Sequence, residues 1–178
     1  FLFGQQYDKA GNPIYFIEQG DTAWFAYTPT IGNYKARGRW EGARCCKYEY
    51  QENLEYYVND MENDFVLFRY ADLIYTRFEA LWRLGRAGEM INDAHLMKIR
   101  TRAGLEPYNV SQLNAEELLD EFGREFAWEG RRRQDQIRFG VWGNTWWNKP
   151  ASDANARLFP IPQTALSANP KLKQNDGF

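Results

Sequence analysis

Residues 141–150, VWGNTWWNKP, set Trp142, Trp146 and Trp147 among glycine, asparagine and proline, where neither a packed helix nor a strand is expected. Aromatic residues make up 17% of the chain, with Trp 7 and Tyr 11. An indole or phenol ring has a flat apolar face and a polar edge, so it suits a wet binding surface as well as a core. Sugars offer the matching chemistry, flat faces of C–H groups rimmed by hydroxyls that neighbouring Asn, Asp or Arg side chains can bond. Besides Trp146 and Trp147, the candidates for such ligand contacts are Trp24, Tyr27, Tyr34 and Trp40, which lie in stretches rich in Gly, Asn, Thr and Lys. The competing reading is packing, in which the rings dock loops onto helices. Trp142 follows a helical segment closely and is expected to pack back on it. Trp146 and Trp147 are adjacent and cannot both face inward in an extended segment, so one of them is a candidate exposed ring.

Other chemistry is poorly supplied. His95, the single histidine, falls inside a helical segment and is read as a partly buried core residue. Cys45 and Cys46 are neighbours, too close for an unstrained bridge and wrongly spaced for zinc, so they are read as two buried free thiols. No nucleophile motif, phosphate loop or dinucleotide fingerprint occurs, and no metal or cofactor is expected. Two carboxylates at a suitable separation would satisfy a glycoside hydrolase, but any acidic protein meets that condition. Arg131, Arg132, Arg133 and Arg138 invite a nucleic-acid reading. They follow a segment holding Glu116, Glu117, Asp120, Glu121, Glu125 and Glu129, so ion pairing is the favoured role. With a net charge of -2 and no basic face elsewhere, nucleic acid is not an expected partner.

The elements that must position these residues divide the chain. Its 178 residues suffice for one domain, read as 1–60 loop-rich with short strands, 64–140 helical and 141–178 a loop-rich tail. No apolar run is long enough to cross a bilayer, and the start without methionine suggests a processed or truncated product. Strands are expected within NPIYFIE (12–18) and ARCCKYEY (43–50).

From Asp64 to Gly85 the residues Leu67, Ala71, Ile74, Phe78 and Leu81 fall at three- and four-residue steps, one stripe of a helix, flanked by Phe68, Tyr75 and Trp82. A second helix is predicted over Ala87–Thr101 with Ile91, Ala94 and Ile99 inward, antiparallel to the first across the short LGRAG connection. Asn114 and Glu117 form a capping-box signal for a third helix whose apolar face is Leu118, Phe122 and Phe126. Gly130 interrupts it, and a shorter fourth follows. Helix pairing suggests an α-solenoid of the tetratricopeptide type, although no clean repeat is visible.

Four ordered blocks carry a family resemblance: FRYADLIYTRFEALWRLGRAG, KIRTRAGL, REFAWEGRRRQDQIRFG and the ending RLFPIPQTALSANPKLKQNDGF. Over residues 43–178 the chain resembles the carboxy-terminal part of SusD/RagB proteins, outer-membrane lipoproteins of Bacteroidetes that bind glycans or, in some cases, peptides. Arg69, Tyr70, Glu79 and Ala80 match its first helix. Ile99, Arg100, Arg102, Ala103 and Gly104 match an arginine-flanked helix exit. Glu125, Glu129, Gly130, Arg132, Asp135 and Arg138 match an acidic–basic segment, read as an internal salt-bridge lattice. Phe78 replaces a small residue, Met97 stands where Asn is common, and Phe122 where an Arg usually follows Glu121. These departures exchange polar contacts for apolar ones, and Phe78 requires the helix packing to shift.

The resemblance implies a mainly α fold of tetratricopeptide-like antiparallel helix pairs, with long ordered loops and little β-strand. It also implies a non-catalytic, surface-exposed outer-membrane protein that captures oligosaccharide or polysaccharide for a partner TonB-dependent transporter. Membrane contact is then expected only through a lipid anchor on an amino-terminal part absent from this chain. Three readings follow: a glycan-binding uptake component, a helical-repeat protein–protein adaptor that binds no sugar, and a hydrolase. Saturable sugar binding without turnover distinguishes the first from the others.

Overall fold

The computed structural model describes residues 1–18, 21–24, 26–32, 41–48, 51 and 61–178. Internal contacts divide the chain into two compact units, Phe1–Asp64 and Phe65–Phe178. The fold is mainly α, and its described strands are short.

In the first unit, β1 (Gly4–Gln5) pairs antiparallel with β4 (Ala26–Tyr27), and β2 (Tyr15–Glu18) with β3 (Asp21–Trp24). The strand expected in NPIYFIE is therefore β2. The one expected in ARCCKYEY does not form over its described residues 43–48, where Arg44 makes a single bridge to Leu2. The Arg44 guanidinium donates to the carbonyls of Glu41 and Gly42 at 3.0 and 2.9 Å, which curls the chain just where a strand would begin. Without a sheet face to cover them, the free Cys45 is only half-buried and the free Cys46 is exposed, contrary to the expectation of two buried thiols.

The second unit is built on α1 (Tyr70–Arg83), α2 (Ala94–Arg102), α3 (Ala115–Glu125), α4 (Arg132–Arg138) and α5 (Gln163–Ala168). Helix α1 starts later than its apolar period predicts. The Asp72 carboxylate accepts the N–H of Arg69 at 2.7 Å, which fixes Arg69 as the cap and leaves Leu67 and Phe68 outside, 76% and 87% exposed. The predicted second helix is broken as well. Ala87–Glu89 forms one 3₁₀ turn, and Asp93 then caps a fresh helix by accepting from the N–H groups of His95 and Leu96. This rephasing turns Ala94 and His95 outward, and Leu96 takes the inward place.

Both α1 and α2 end as their glycines require. Gly85 and Gly104 sit at φ of 71° and 73°, and in each case the residue after the glycine bonds back to the carbonyl five positions earlier, Arg86 to Leu81 and Leu105 to Arg100. The two helices run in opposite directions. Asp93, just before α2, pairs with Arg77 midway along α1, while Arg102 at the end of α2 shares Glu125 with Arg69 at the start of α1.

Asn114 caps α3 by accepting from the N–H of Glu117 at 2.9 Å. The Glu117 carboxylate does not complete the box, because it is held by Arg124 and the Tyr108 hydroxyl. Leu118, Phe122 and Phe126 are buried as the period predicts. Their rings meet α1 through Tyr75, whose centroid lies 5.5 Å from those of Phe122 and Phe126. Phe78 is wholly buried beside Tyr108, centroids 6.0 Å apart, so the core has room for the ring.

The acidic–basic segment is a lattice of ion pairs around this core. Arg69 clasps Glu129 through two hydrogen bonds of 2.8 Å and reaches Glu125 at 2.6 Å. Arg131 pairs with Asp72, Arg132 with Asp120, and Arg138 with Glu79 and Asp135. Arg133 departs from the pattern, donating to the carbonyls of Ala156 and Arg157 and lying over the rings of Trp142 and Phe159. The tail is closed by side-chain amides. Gln174 bonds both the N–H and the carbonyl of Ile161, and Asn175 donates to the carbonyl of Phe159.

Candidate functional site

The loop after α4 places its tryptophans in two different settings. Trp142 is half-buried, with the Arg133 guanidinium 5.2 Å from its ring centre, so it packs back on α4 as expected. Trp146 and Trp147 stand in a tight turn closed by reciprocal hydrogen bonds between Trp146 and Lys149, of 3.1 and 2.9 Å. Asn148 occupies the third turn position at φ 59°, a conformation that asparagine tolerates better than most residues. Trp146 is 47% exposed and Trp147 60%.

Lys149 governs this loop. Its ammonium donates to the carbonyls of Trp142, Asn144 and Pro150 at 3.3, 3.0 and 3.2 Å, tying both limbs together. It also lies 4.4 Å from the centre of the Trp146 ring and occupies that face. Trp147 therefore presents the freer indole. Sequence reasoning missed Lys149; the available signal was a long cation two residues after the tryptophan pair and before proline.

The remaining candidates are dispersed. Trp24 ends β3 opposite Tyr15. Tyr27 lies in β4, half-buried, with the Arg44 guanidinium 4.6 Å from its ring centre. Tyr34 and Trp40 lie outside the described residues. The structure thus brings together Trp146 and Trp147 in one unit, and Trp24 and Tyr27 belong to the other.

Beside the tryptophan loop opens a cleft of about 380 Å³, lined by Leu119, Phe139 and Val141 with Glu116, Asp120 and Asn144 among its polar groups. The Asp120 carboxylate pairs with Arg132 at 3.3 Å. A second hollow of about 410 Å³ lies between α1 and α2, with Ala71, Ile74 and Ile99 among its apolar lining and Lys98 and Arg102 among its cations. His95 is exposed there rather than partly buried, edge-on to Tyr70 with centroids 5.3 Å apart. The cap at Asp93 sets the helix phase that turns it out. Among the described residues no group of three His, Cys, Asp or Glu side chains is arranged to hold a metal ion, and no helix is long and apolar enough to cross a membrane.

The charged groups buried most deeply belong to the ion-pair lattice, Asp135 and Glu121 at 1% and 3% exposed. Burial pushes the Glu121 carboxyl up, but hydrogen bonds from Arg124 and Tyr75 and the charge of Arg100 outweigh it and hold Glu121 below the usual range. Burial and the neighbouring Glu121 charge push the Tyr75 hydroxyl up. These groups bind helices to each other and face the core, which fits a structural role.

Comparison with known proteins agrees with the first three residue blocks; the fourth, residues 157–178, lies beyond the family-matched span. The model of the SusD family matches residues 16–153. The starch-binding protein SusD of Bacteroides thetaiotaomicron is 32% identical over 126 residues, covering 66% of this chain and 22% of that protein. The chain thus spans about a fifth of the length of the curated relative it matches. The matched span contains α1, the arginine-flanked exit of α2, the α3–α4 lattice and the tryptophan turn. With helices, lattice and family match all on the same residues, the chain belongs to the SusD family.

Proposed function

We propose that this chain contributes to glycan capture at the outer-membrane surface of a Bacteroidetes cell, binding oligosaccharide without turnover and passing it to a TonB-dependent transporter. The observation that carries the reading is the Trp146–Trp147 turn, two exposed indoles on a loop that Lys149 holds in place. A rigid exposed ring stacks on a sugar face at little entropic cost. The adjoining cleft supplies Glu116, Asp120 and Asn144 as hydroxyl partners. Membership of the SusD family and likeness to a protein named for starch binding favour a saccharide as the ligand.

The test is a titration of intrinsic tryptophan fluorescence against soluble plant, host and microbial glycans, with product analysis after long incubation. One glycan class should give a saturable shift and no released product. Trp147→Ala should weaken that binding about tenfold, the loss expected for one aromatic contact worth ~1.4 kcal/mol. Its unfolding midpoint should stay unchanged, because the ring is 60% exposed. A flat response across the panel, or unaltered affinity in Trp147→Ala, overturns the reading for this loop.

A further inference from the structure

We propose that the sugar taken at the tryptophan turn is an N-acetylated amino sugar, whose acetamido group enters the cleft beside the turn. This rests on the glycan reading of Trp147 and adds the chemical class of the sugar. Three features of the cleft match the three parts of an acetamide, which are its methyl, its N–H and its carbonyl.

The apolar floor matches the methyl. Leu119, Phe139 and Val141 line a hollow of about 380 Å³, within the range of small-molecule sites, roughly 300–1,000 Å³. Leu119 is 6% exposed, and Phe139 and Val141 are half-buried. A pyranose stacked on an indole spends its C–H face there, so only its substituents reach sideways into the cleft. A hydroxyl pressed against this floor loses water without gaining a partner. A methyl group gains by the same burial.

The rim matches the amide. Glu116 and Asp120 stand four residues apart on α3, so they share one helix face and border one opening. Asp120 turns one oxygen to Arg132 at 3.3 Å, and Glu116 has no ion-pair partner among the described residues. Either carboxylate can accept an amide N–H. Asn144 lines the cleft from the tryptophan loop, and its side-chain amide can donate to a carbonyl. Its own backbone carbonyl accepts from Lys149 at 3.0 Å, so one cation fixes both this rim and the turn.

Charge disfavours the other classes of substituted sugar. No basic residue lines the cleft. Arg132 is engaged by Asp120 and the Leu119 carbonyl, and Lys149 by three carbonyls of its own loop. A uronate or sulfated sugar would set its anion beside two carboxylates with no counter-charge to meet it. An amino sugar without its acetyl group would suit the carboxylates but place a solvated ammonium over the apolar floor. Of these classes the acetylated one meets both floor and rim.

The test is a set of tryptophan-fluorescence titrations of the full chain with matched sugars. Triacetylchitotriose is compared with cellotriose, and N-acetyllactosamine with lactose, the members of each pair differing only in acetamido groups for hydroxyls. In at least one pair the acetylated sugar should bind about tenfold more tightly, as expected for one buried methyl and one added hydrogen bond. Asn144→Ala should narrow that ratio to about threefold. Trp147→Ala should weaken both members alike and preserve the ratio, because the ring meets a face that both sugars share. Both positions are exposed, so unchanged circular dichroism and thermal unfolding keep the comparison clean.

Saturable binding without preference in either pair overturns the proposal and leaves the glycan reading standing. Silence toward the acetylated sugars beside saturation with another glycan class does the same. A preference that survives Asn144→Ala intact would put the acetamide elsewhere and overturn it too. Deacetylated chitotriose binding more tightly than its acetylated parent would make the carboxylates a cation site, again overturning it. A flat response to every glycan class overturns this proposal and the glycan reading together.

Discussion

Arg138 on α4 clasps Glu79 on α1 across 59 residues of sequence, its Nε donating to both carboxylate oxygens at 2.9 and 3.1 Å and its Nη2 to one at 2.9 Å. The Glu79 side chain is 8% exposed and also receives Arg83 from one turn further along α1. Arg138 in turn holds the buried Asp135 at 2.8 Å and covers the Phe122 and Phe139 rings. One guanidinium thus ties two helices and two buried carboxylates to the core.

Arg138→Ala should therefore destabilise the helical unit by about 2 kcal/mol. Stripping one partner from a buried pair costs about 3–5 kcal/mol when the other charge is left alone. The smaller figure applies because Arg138 is 38% exposed and Arg83 remains on Glu79. Arg138→Lys should recover only part of the loss, since an ammonium cannot reproduce the forked geometry. Urea denaturation followed by circular dichroism checks both.

Acid should unfold the same lattice. Burial pushes Glu79 up, but hydrogen bonds from Arg138 and Arg83 prevail and hold it below its ordinary 4.5. Glu121 is lowered likewise by Arg124, Tyr75 and Arg100 against its burial. With folded values depressed, the unfolded chain binds protons first, so the stabilisation is complete above the unfolded value and is lost as pH falls through the folded ones. Urea midpoints should be flat from neutrality down to about pH 5 and then fall steadily. Glu121→Gln should be less stable at neutral pH and show a shallower fall.

What the sequence made legible was local. The Asn114 cap, Gly85 after the last apolar step, and the period of Leu118, Phe122 and Phe126 all act within a turn or two and appear as read, whereas the return contact expected from Glu117 does not form. The start of α1 was masked: Asp72 caps it at Arg69 from only three residues away, and the Arg69 side chain is held by Glu125 and Glu129, 56 and 60 residues away. Leu67 and Phe68 keep the apolar rhythm yet fall outside the helix. The break at Asp93 was readable in principle, since aspartate favours a cap over a helix interior, but the apolar spacing of Ile91, Ala94 and Ile99 masked it. For the tryptophan turn, the sequence posed an either–or between packing and exposure. Its resolution needed Lys149, whose three carbonyl partners are set by the path of the loop.

Phe78→Ala tests whether the departure from a small residue is a structural commitment. The ring is wholly buried against Tyr108 in the cluster that joins α1 to α3. A cavity of that size costs about 3–5 kcal/mol where neighbours cannot collapse. The chain should lose most of its cooperative transition in thermal unfolding. A loss under about 1 kcal/mol would mean that the helices close over the gap.

Lys149→Ala separates loop order from global stability. Lys149 is half-buried, but its ammonium bridges only its own loop, so the unfolding midpoint should move by less than about 1 kcal/mol. The turn itself should loosen, because three carbonyls lose their common donor and the Trp146 ring loses the cation over its face. Hydrogen exchange should quicken at the N–H groups of Trp146 and Lys149, which close the turn on each other. Glycan affinity should fall about threefold to tenfold, since the ligand must then order the indoles itself. If exchange quickens while affinity holds, the turn does not need pre-organising and Trp147 binds as a mobile ring. If neither moves, the reciprocal Trp146–Lys149 backbone bonds alone set the geometry of the turn.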